Sequence, residues 1–192
     1  MTQTVHLLAA PGSGKTRLIN KYNLNTIEYS KFQYARLYLI YWIYFFLGLK
    51  EFKAINRKII FLKIDLFFLK NLIRSLVKEN LQKKYSNNDY VVPDESYLHL
   101  IICICIFNKF NLEEIINFKN LNRNRLLIYT ININPDLNLQ YLNSKSYNET
   151  WKGLVFETND KIISSYNETL ELFLKKIKDP INFDFSIFEN FK

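Results

Sequence analysis

Eight consecutive residues near the amino terminus, Ala9-Ala10-Pro11-Gly12-Ser13-Gly14-Lys15-Thr16, have the composition needed to hold a polyphosphate. A phosphate anion is bound by several amide N–H groups turned toward one point. That requires dihedrals glycine adopts freely and a backbone close enough to touch the ligand. Gly12 and Gly14, two of only four glycines in the chain, supply both, and a helix starting behind them would aim its positive end at the same point. Lys15 is placed to reach the β- and γ-phosphates, and Thr16 to set its hydroxyl on Mg2+. Pro11, Ser13 and Arg17 complete the residues expected to line the ligand. The alternative is a flexible turn that ends by chance in Gly-Lys-Thr, a coincidence that a chain so poor in glycine and alanine makes hard to arrange.

Binding becomes catalysis only with a second group near the terminal phosphate. Asp94-Glu95 follows the β-rich tripeptide Tyr90-Val91-Val92, so a parallel strand would bring both carboxylates to the edge that carries the glycine loop. There a carboxylate can hold a metal-bound water or accept a proton from an acceptor hydroxyl, which makes Lys15, Asp94 and Glu95 the catalytic candidates and Thr16 and Asp94 the metal candidates. The same pair also suits an Asp N-cap followed by Glu in a first helical turn, an arrangement that needs no chemistry. His6 falls within the first strand and reads as a packed strand residue. His99 comes four residues after Glu95 and either lines the same cleft or packs in the core. Asp65 suits a helix surface or a cap. Cys103 and Cys105 are spaced wrongly for an ordinary disulfide or a C-x-x-C pair and lie within the apolar run 100–107, where thiols act as small hydrophobes.

The elements that must position these groups follow from periodicity and breakers. Strands are expected at Val5–Leu8, Tyr90–Val92, 126–133 and, in the tail, 182–185, with a small strand around 26–29. Helices are expected at Thr16–Tyr22, Phe32–Phe52, Arg57–Lys84, 97–108, 111–118, 137–142 and Lys161–Lys178, the last strongly amphipathic. Ser86-Asn87-Asn88-Asp89 and Asn134-Pro135-Asp136 are the clearest turns. Strands alternating with helices imply an α/β fold in three layers, a parallel sheet flanked by helices, with ligands at the carboxyl ends of the strands. The reading is of a single nucleotide-binding domain over residues 1–192, with a helical insertion at roughly 32–84.

Composition narrows the partners. The chain has 192 residues, an apolar share of 48% and 23% charged residues, enough apolar side chains for a sizeable core. A formal charge of +8 and a pI near 9.3 invite a nucleic-acid reading, but Lys and Arg are dispersed singly or in pairs, so nucleic acid is not the expected partner. Abundant Asn, Ile, Lys, Phe and Tyr with scarce Gly, Ala and Pro is the bias of an A/T-rich coding sequence, which itself accounts for part of the charge. The run Leu37–Leu49 is thirteen residues, bounded by Arg36 and Lys50, against about 20 needed to span a bilayer. It is expected to be a strongly buried helix, with peripheral membrane contact as the other reading. The opening residues carry no secretory signal pattern, and with the reduced cysteines this predicts a cytoplasmic protein.

The loop 9–16 matches the P-loop (Walker A) pattern, whose family tolerates Ala at the position Ala9 occupies. Together with Asp94-Glu95-Ser96 and the late segment Leu127-Ile128-Tyr129-Thr130-Ile131-Asn132-Ile133-Asn134-Pro135-Asp136, it resembles the small P-loop kinases of nucleosides and nucleotides. A thymidylate-kinase-like branch associated with polysaccharide biosynthesis is the nearest likeness. The resemblance implies ATP and Mg2+ as cofactors and a small-molecule phosphate acceptor, nucleoside, nucleotide or sugar. It also implies arginines in a lid after the late strand. Here residues 137–160 hold Lys145 and Lys152 but no Arg, and a lysine offers a point charge rather than a bidentate fork. The segment 32–84 matches nothing in that family. A nucleotide-dependent switch or assembly ATPase is therefore the alternative. Asn108-Lys109-Phe110-Asn111 lacks the Asp that reads guanine, which disfavours GTP.

Overall fold

The computed structural model describes residues 2–10, 13–22, 29–64, 66–86, 89–93, 95–122, 126–131, 159–178 and 180–182. Strand β1 (Gln3–Leu8) is buried from Thr4 onward and lies between β2 (Tyr90–Val91) and β3 (Leu127–Thr130), with β4 (Ile181–Asn182) beyond β3. All pairings are parallel, with Thr4 beside Val91, His6 beside Ile128 and Ile128 beside Asn182. Alternation along β1 divides its side chains between two apolar clusters. Val5 and Leu7 pack with Ile19 of α1 (Lys15–Lys21) on one face. Leu8 belongs to the larger cluster on the other, with α2 (Lys31–Leu47), α4 (Leu66–Tyr85), α5 (Tyr97–Phe107) and α8 (Asn159–Lys176). The expected three-layer α/β arrangement, a parallel sheet flanked by helices, is what the chain forms.

Helix α5 has the position its composition demands. Tyr97 to Cys105 are all buried, because the helix touches β1 on one side and α4, α6 (Leu112–Ile115) and α8 on others. A helix apolar all round has no side to give to water. Cys103 and Cys105 are buried free thiols, each pushed up to about 12 chiefly by desolvation, and pack as expected.

Three expected elements are corrected. The helix foreseen over 57–84 is two: α3 (Arg57–Lys63) ends at Ile64, whose backbone is extended (φ −111°, ψ 140°), and α4 starts at Leu66. No Gly or Pro marks the break. It follows from packing, since α3 contacts α6 while α4 contacts α2 and α5. The helix foreseen over 111–118 is likewise split, α6 from α7 (Phe118–Leu121), where the extended Ile116 pairs with Ile55.

The segment around 37–49 is helical but not strongly buried. Ser30 and Gln33 form a capping box at the start of α2, and Gly48, left-handed at φ 69°, ends it at Leu47 rather than Phe52. The Arg57 guanidinium covers Gly48 and donates to the Phe45 and Phe46 carbonyls; a Cβ at Gly48 would come within 2.3 Å of it. Within α2 only Tyr41 and Phe45 are buried. The helix rests on α4 by one side, where Tyr34, Leu37, Tyr38, Trp42 and Tyr44 are partly buried against the core, while Phe32, Leu39, Ile43, Phe46 and Leu47 are exposed. The small strand at 26–29, the helix at 137–142, Asp65, Asn87-Asn88, Asn134-Pro135-Asp136, Lys145, Lys152 and most of the 182–185 strand lie outside the described residues.

Candidate phosphate site at the carboxyl edge of the sheet

In a parallel sheet every strand ends at the same edge, and the segments after β1 and β2 begin there. Leu8, Ala9 and Ala10 remain buried as β1 runs out. The Ser13 amide turns back to the Ala10 carbonyl at 3.2 Å, and Gly14 adopts a left-handed conformation (φ 80°, ψ 18°) as N-cap of α1. A side chain at Gly14 would be strained by that φ although the space above it is open. Leu18 N–H closes the first helical turn on the Gly14 carbonyl, and the first amides of any helix have no intrahelical acceptor. Ser13 Oγ is buried and has no hydrogen-bond partner among the described residues. Thr16 and Arg17 are exposed on the first turn of α1. An orphan hydroxyl, an open space over a left-handed glycine and the first helical amides fit a phosphate group. Pro11, Gly12 and Asp94 lie outside the described residues.

Lys15 does not extend into solvent. Its ammonium donates to the Ala9 carbonyl at 3.0 Å and lies 3.1 Å from Nε2 and 3.3 Å from Nδ1 of His99. Tyr166 of α8 places its hydroxyl 2.6 Å from His99 Nδ1, and Cys103 Sγ is 3.7 Å from Nε2. An ammonium has only protons to offer, so the imidazole must present a lone pair to it. The arrangement that satisfies every partner has Nδ1–H donating to Tyr166 and Nε2 accepting from Lys15. Desolvation holds His99 well below its ordinary value, and the nearby Lys15 charge adds to the effect. Burial likewise lowers Lys15, to about 8, against the opposing pull of Cys103 and Glu95. Desolvation raises the Tyr166 phenol well above its usual range, with Cys103 adding to it, so it stays a neutral hydroxyl.

Glu95 is exposed, and its carboxylate is near enough to favour the charged form of Lys15. Its carbonyl accepts from Ser75 Oγ of α4, which pins the segment after β2. The helix cap is Ser96, whose hydroxyl accepts from Leu98 N–H, so Glu95 precedes α5 rather than stabilising its first turn. Ser96 also meets His6: Nδ1 lies 2.8 Å from its Oγ, and Tyr97 stands edge-on to the ring. His6 is thus the packed strand residue its position implied.

The structure brings Ser13, Gly14, Lys15, Thr16, Arg17 and Glu95 to one edge and joins His99 to them through Lys15. Tyr166 was not foreseen. Its place among Ile163, Leu170 and Phe173 on the apolar face of α8 reads as core, and the only signal was a hydroxyl on a face otherwise without polar groups.

No family model and no curated protein matches this sequence. The fold is similar to that of a deoxyadenosine kinase from M. mycoides solved with the products dCMP and a flexible dCDP bound. The two chains have a TM-score of 0.48 and 12% identity, over 94% of this chain and 88% of that one. At that level of similarity, a functional reading has to come from the residues of this chain.

Proposed function

We propose that this chain is an ATP-dependent kinase that transfers phosphate to a small molecule, a nucleoside, nucleotide or sugar. The observation that supports it is the meeting, at one sheet edge, of a lysine ammonium, an unpartnered serine hydroxyl in a left-handed glycine turn, and the Glu95 carboxylate. In this reading Pro11, Gly12, Ser13, Gly14, Lys15, Thr16 and Arg17 hold the triphosphate, and Thr16 and Asp94 hold Mg2+. The metal neutralises phosphate charge and orients the oxygens. Lys15 leaves the His99 imidazole for the β- and γ-phosphates, trading a neutral acceptor for an anion. His99, held by Tyr166, keeps that side chain ordered beforehand and so acts as a positioning residue. Asp94 or Glu95 accepts the proton of the acceptor hydroxyl. Catalysis is then mainly positioning and charge stabilisation.

Thermal unfolding with Mg·ATP tests binding. At about a hundred times its Kd, a ligand adds about 2.7 kcal/mol of stability. Transfer of labelled γ-phosphate to a panel of nucleosides, nucleotides and sugars tests the reaction. The absence of Arg from 137–160 favours a second reading, a nucleotide-dependent switch or assembly ATPase. Release of inorganic phosphate only, with no transfer across the panel, would decide for it.

A further inference from the structure

Moving Lys15 onto a phosphate strips a buried imidazole nitrogen of its charged donor. His99 is buried, and its Nδ1 is served by the Tyr166 hydroxyl at 2.6 Å. That hydroxyl is also bonded to the Ala9 backbone, so it is fixed from two directions. Two proton carriers reach Nε2 among the described residues, the Lys15 ammonium at 3.1 Å and the Cys103 thiol at 3.7 Å. A buried acceptor left without a donor carries the cost of its lost hydration, so the loss of Lys15 with no replacement would weigh against nucleotide binding. Cys103 follows His99 by one turn on the same side of α5 and is itself buried. Burial pushes its thiol up to about 12, so it keeps its proton. A thiol is a weak donor that a neighbouring ammonium outcompetes. Cys105, two residues further on, falls on the opposite side of the helix.

We propose, on the nucleotide reading of the loop, that Cys103 is a positioning residue for nucleotide binding: its thiol shares the Nε2 lone pair with Lys15 in the free chain and takes it over when Lys15 moves to the phosphates. The exchange keeps the ring in one tautomer, with Nδ1–H on Tyr166 and the lone pair on Nε2, so Tyr166 and the Ala9 backbone need not move. The opposite tautomer would aim Nε2–H at sulfur, a weak acceptor. A thiol that only fills space as a small hydrophobe would sit in the same place. It differs from a donor in one respect, that nothing happening at Lys15 should register at its proton.

The chain has two cysteines, and the S–H stretching band reports the hydrogen bond of each. The test is infrared spectroscopy of the full chain with and without Mg·ATP, the Cys103 band being the one that Cys103→Ala removes. Saturating Mg·ATP should move that band to lower wavenumber as the thiol gains the whole lone pair. Lys15→Ala should show the moved band with no nucleotide present, which reads the exchange apart from ATP. Cys103→Ala should raise the Kd for Mg·ATP about two- to fivefold, a change larger than any fall in kcat, and Cys103→Ser, which keeps a donor, should restore it. An unmoved band in Lys15→Ala overturns the proposal. So does a chain that Mg·ATP stabilises against heat while the band stays in place, or a Cys103→Ser variant that binds as weakly as Cys103→Ala. A band that moves in Lys15→Ala, in a protein whose melting ignores Mg·ATP, would instead sink the nucleotide reading, and the part of Cys103 in binding with it.

Discussion

Two buried imidazoles lie on the same side of the sheet, and they differ only in what they touch. His6, on β1, meets the Ser96 hydroxyl and the edge of Tyr97; His99, on α5, meets the Tyr166 hydroxyl and the Lys15 ammonium. Burial keeps both neutral, in the face of a favourable Glu79 contribution at His6 and with an added Lys15 repulsion at His99. Burial and lowered basicity therefore do not separate a structural histidine from a functional one. The partner does. Ser96 is also the cap of α5, whereas Lys15 belongs to a glycine turn at a sheet edge and, in the proposed function, leaves His99 to serve a phosphate. One pocket joins a strand to a helix, and the other connects the core to the loop.

The comparison breaks most visibly at Lys15. Lys15→Ala should remove nearly all of the stabilisation by Mg·ATP seen in thermal unfolding. Any phosphate transfer should fall about 10²–10³-fold, as when a preorganised charge partner is deleted. Retention of the full ATP response would place the phosphate elsewhere.

Acid should destabilise both pockets, and over a wider pH range at His99, whose value is lowered further. Each histidine is neutral when folded, with a value lowered from 6.5, and so gains its proton more readily in the unfolded chain. Below pH 6.5 the unfolded state then binds more protons, and stability falls as pH falls toward the folded-state values. The slope is about 1.4 kcal/mol per pH unit for each histidine. Urea titrations between pH 7 and pH 5 should show that slope for two groups in the wild type and for one in His6→Gln or His99→Gln. A stability flat across this range would mean that the imidazoles are hydrated.

Single deletions then separate the pockets. His99→Ala takes one acceptor from the Lys15 ammonium, which keeps the Ala9 carbonyl, and one partner from the Tyr166 hydroxyl, and His6→Ala leaves Ser96 short of one partner. Each should cost about 1–3 kcal/mol by chemical denaturation. Only His99→Ala should also weaken nucleotide response, as a rise in KM for ATP larger than any fall in kcat, since its part is to order Lys15 before binding. Equal KM effects from the two variants would erase the distinction. The smallest effect is expected from Tyr166→Phe, about 1–2 kcal/mol for the hydrogen bonds of its hydroxyl to His99 and the Ala9 backbone, with a KM change in the direction of His99→Ala.

Much of this arrangement was legible beforehand because it rests on local chemistry. The strand Val5–Leu8, the turn before Lys15 and the helix after it follow from an apolar run, two glycines and their order. Asp94-Glu95 after Tyr90-Val91-Val92 placed Glu95 at the right edge, because parallel strands end together. What stayed hidden depended on partners distant in sequence. His99 to Lys15 spans 84 residues and Tyr166 to His99 spans 67, and neither pairing leaves a local pattern. The misread α2 is the same lesson in reverse. An aromatic run implies burial only if another layer covers it, and among the described residues nothing indicates that one does.

From its sequence alone this chain is determined to be an α/β protein with a glycine-bearing loop between its first strand and first helix, since periodicity and glycine placement act over a few residues. The tertiary structure alone decided that Lys15 is held by a neutral imidazole, that Ser96 caps α5, and that one side of α2 faces outward. Those outcomes depend on which surfaces meet when helices settle on the sheet, and desolvation and lone-pair matching operate only between groups that packing has already brought together.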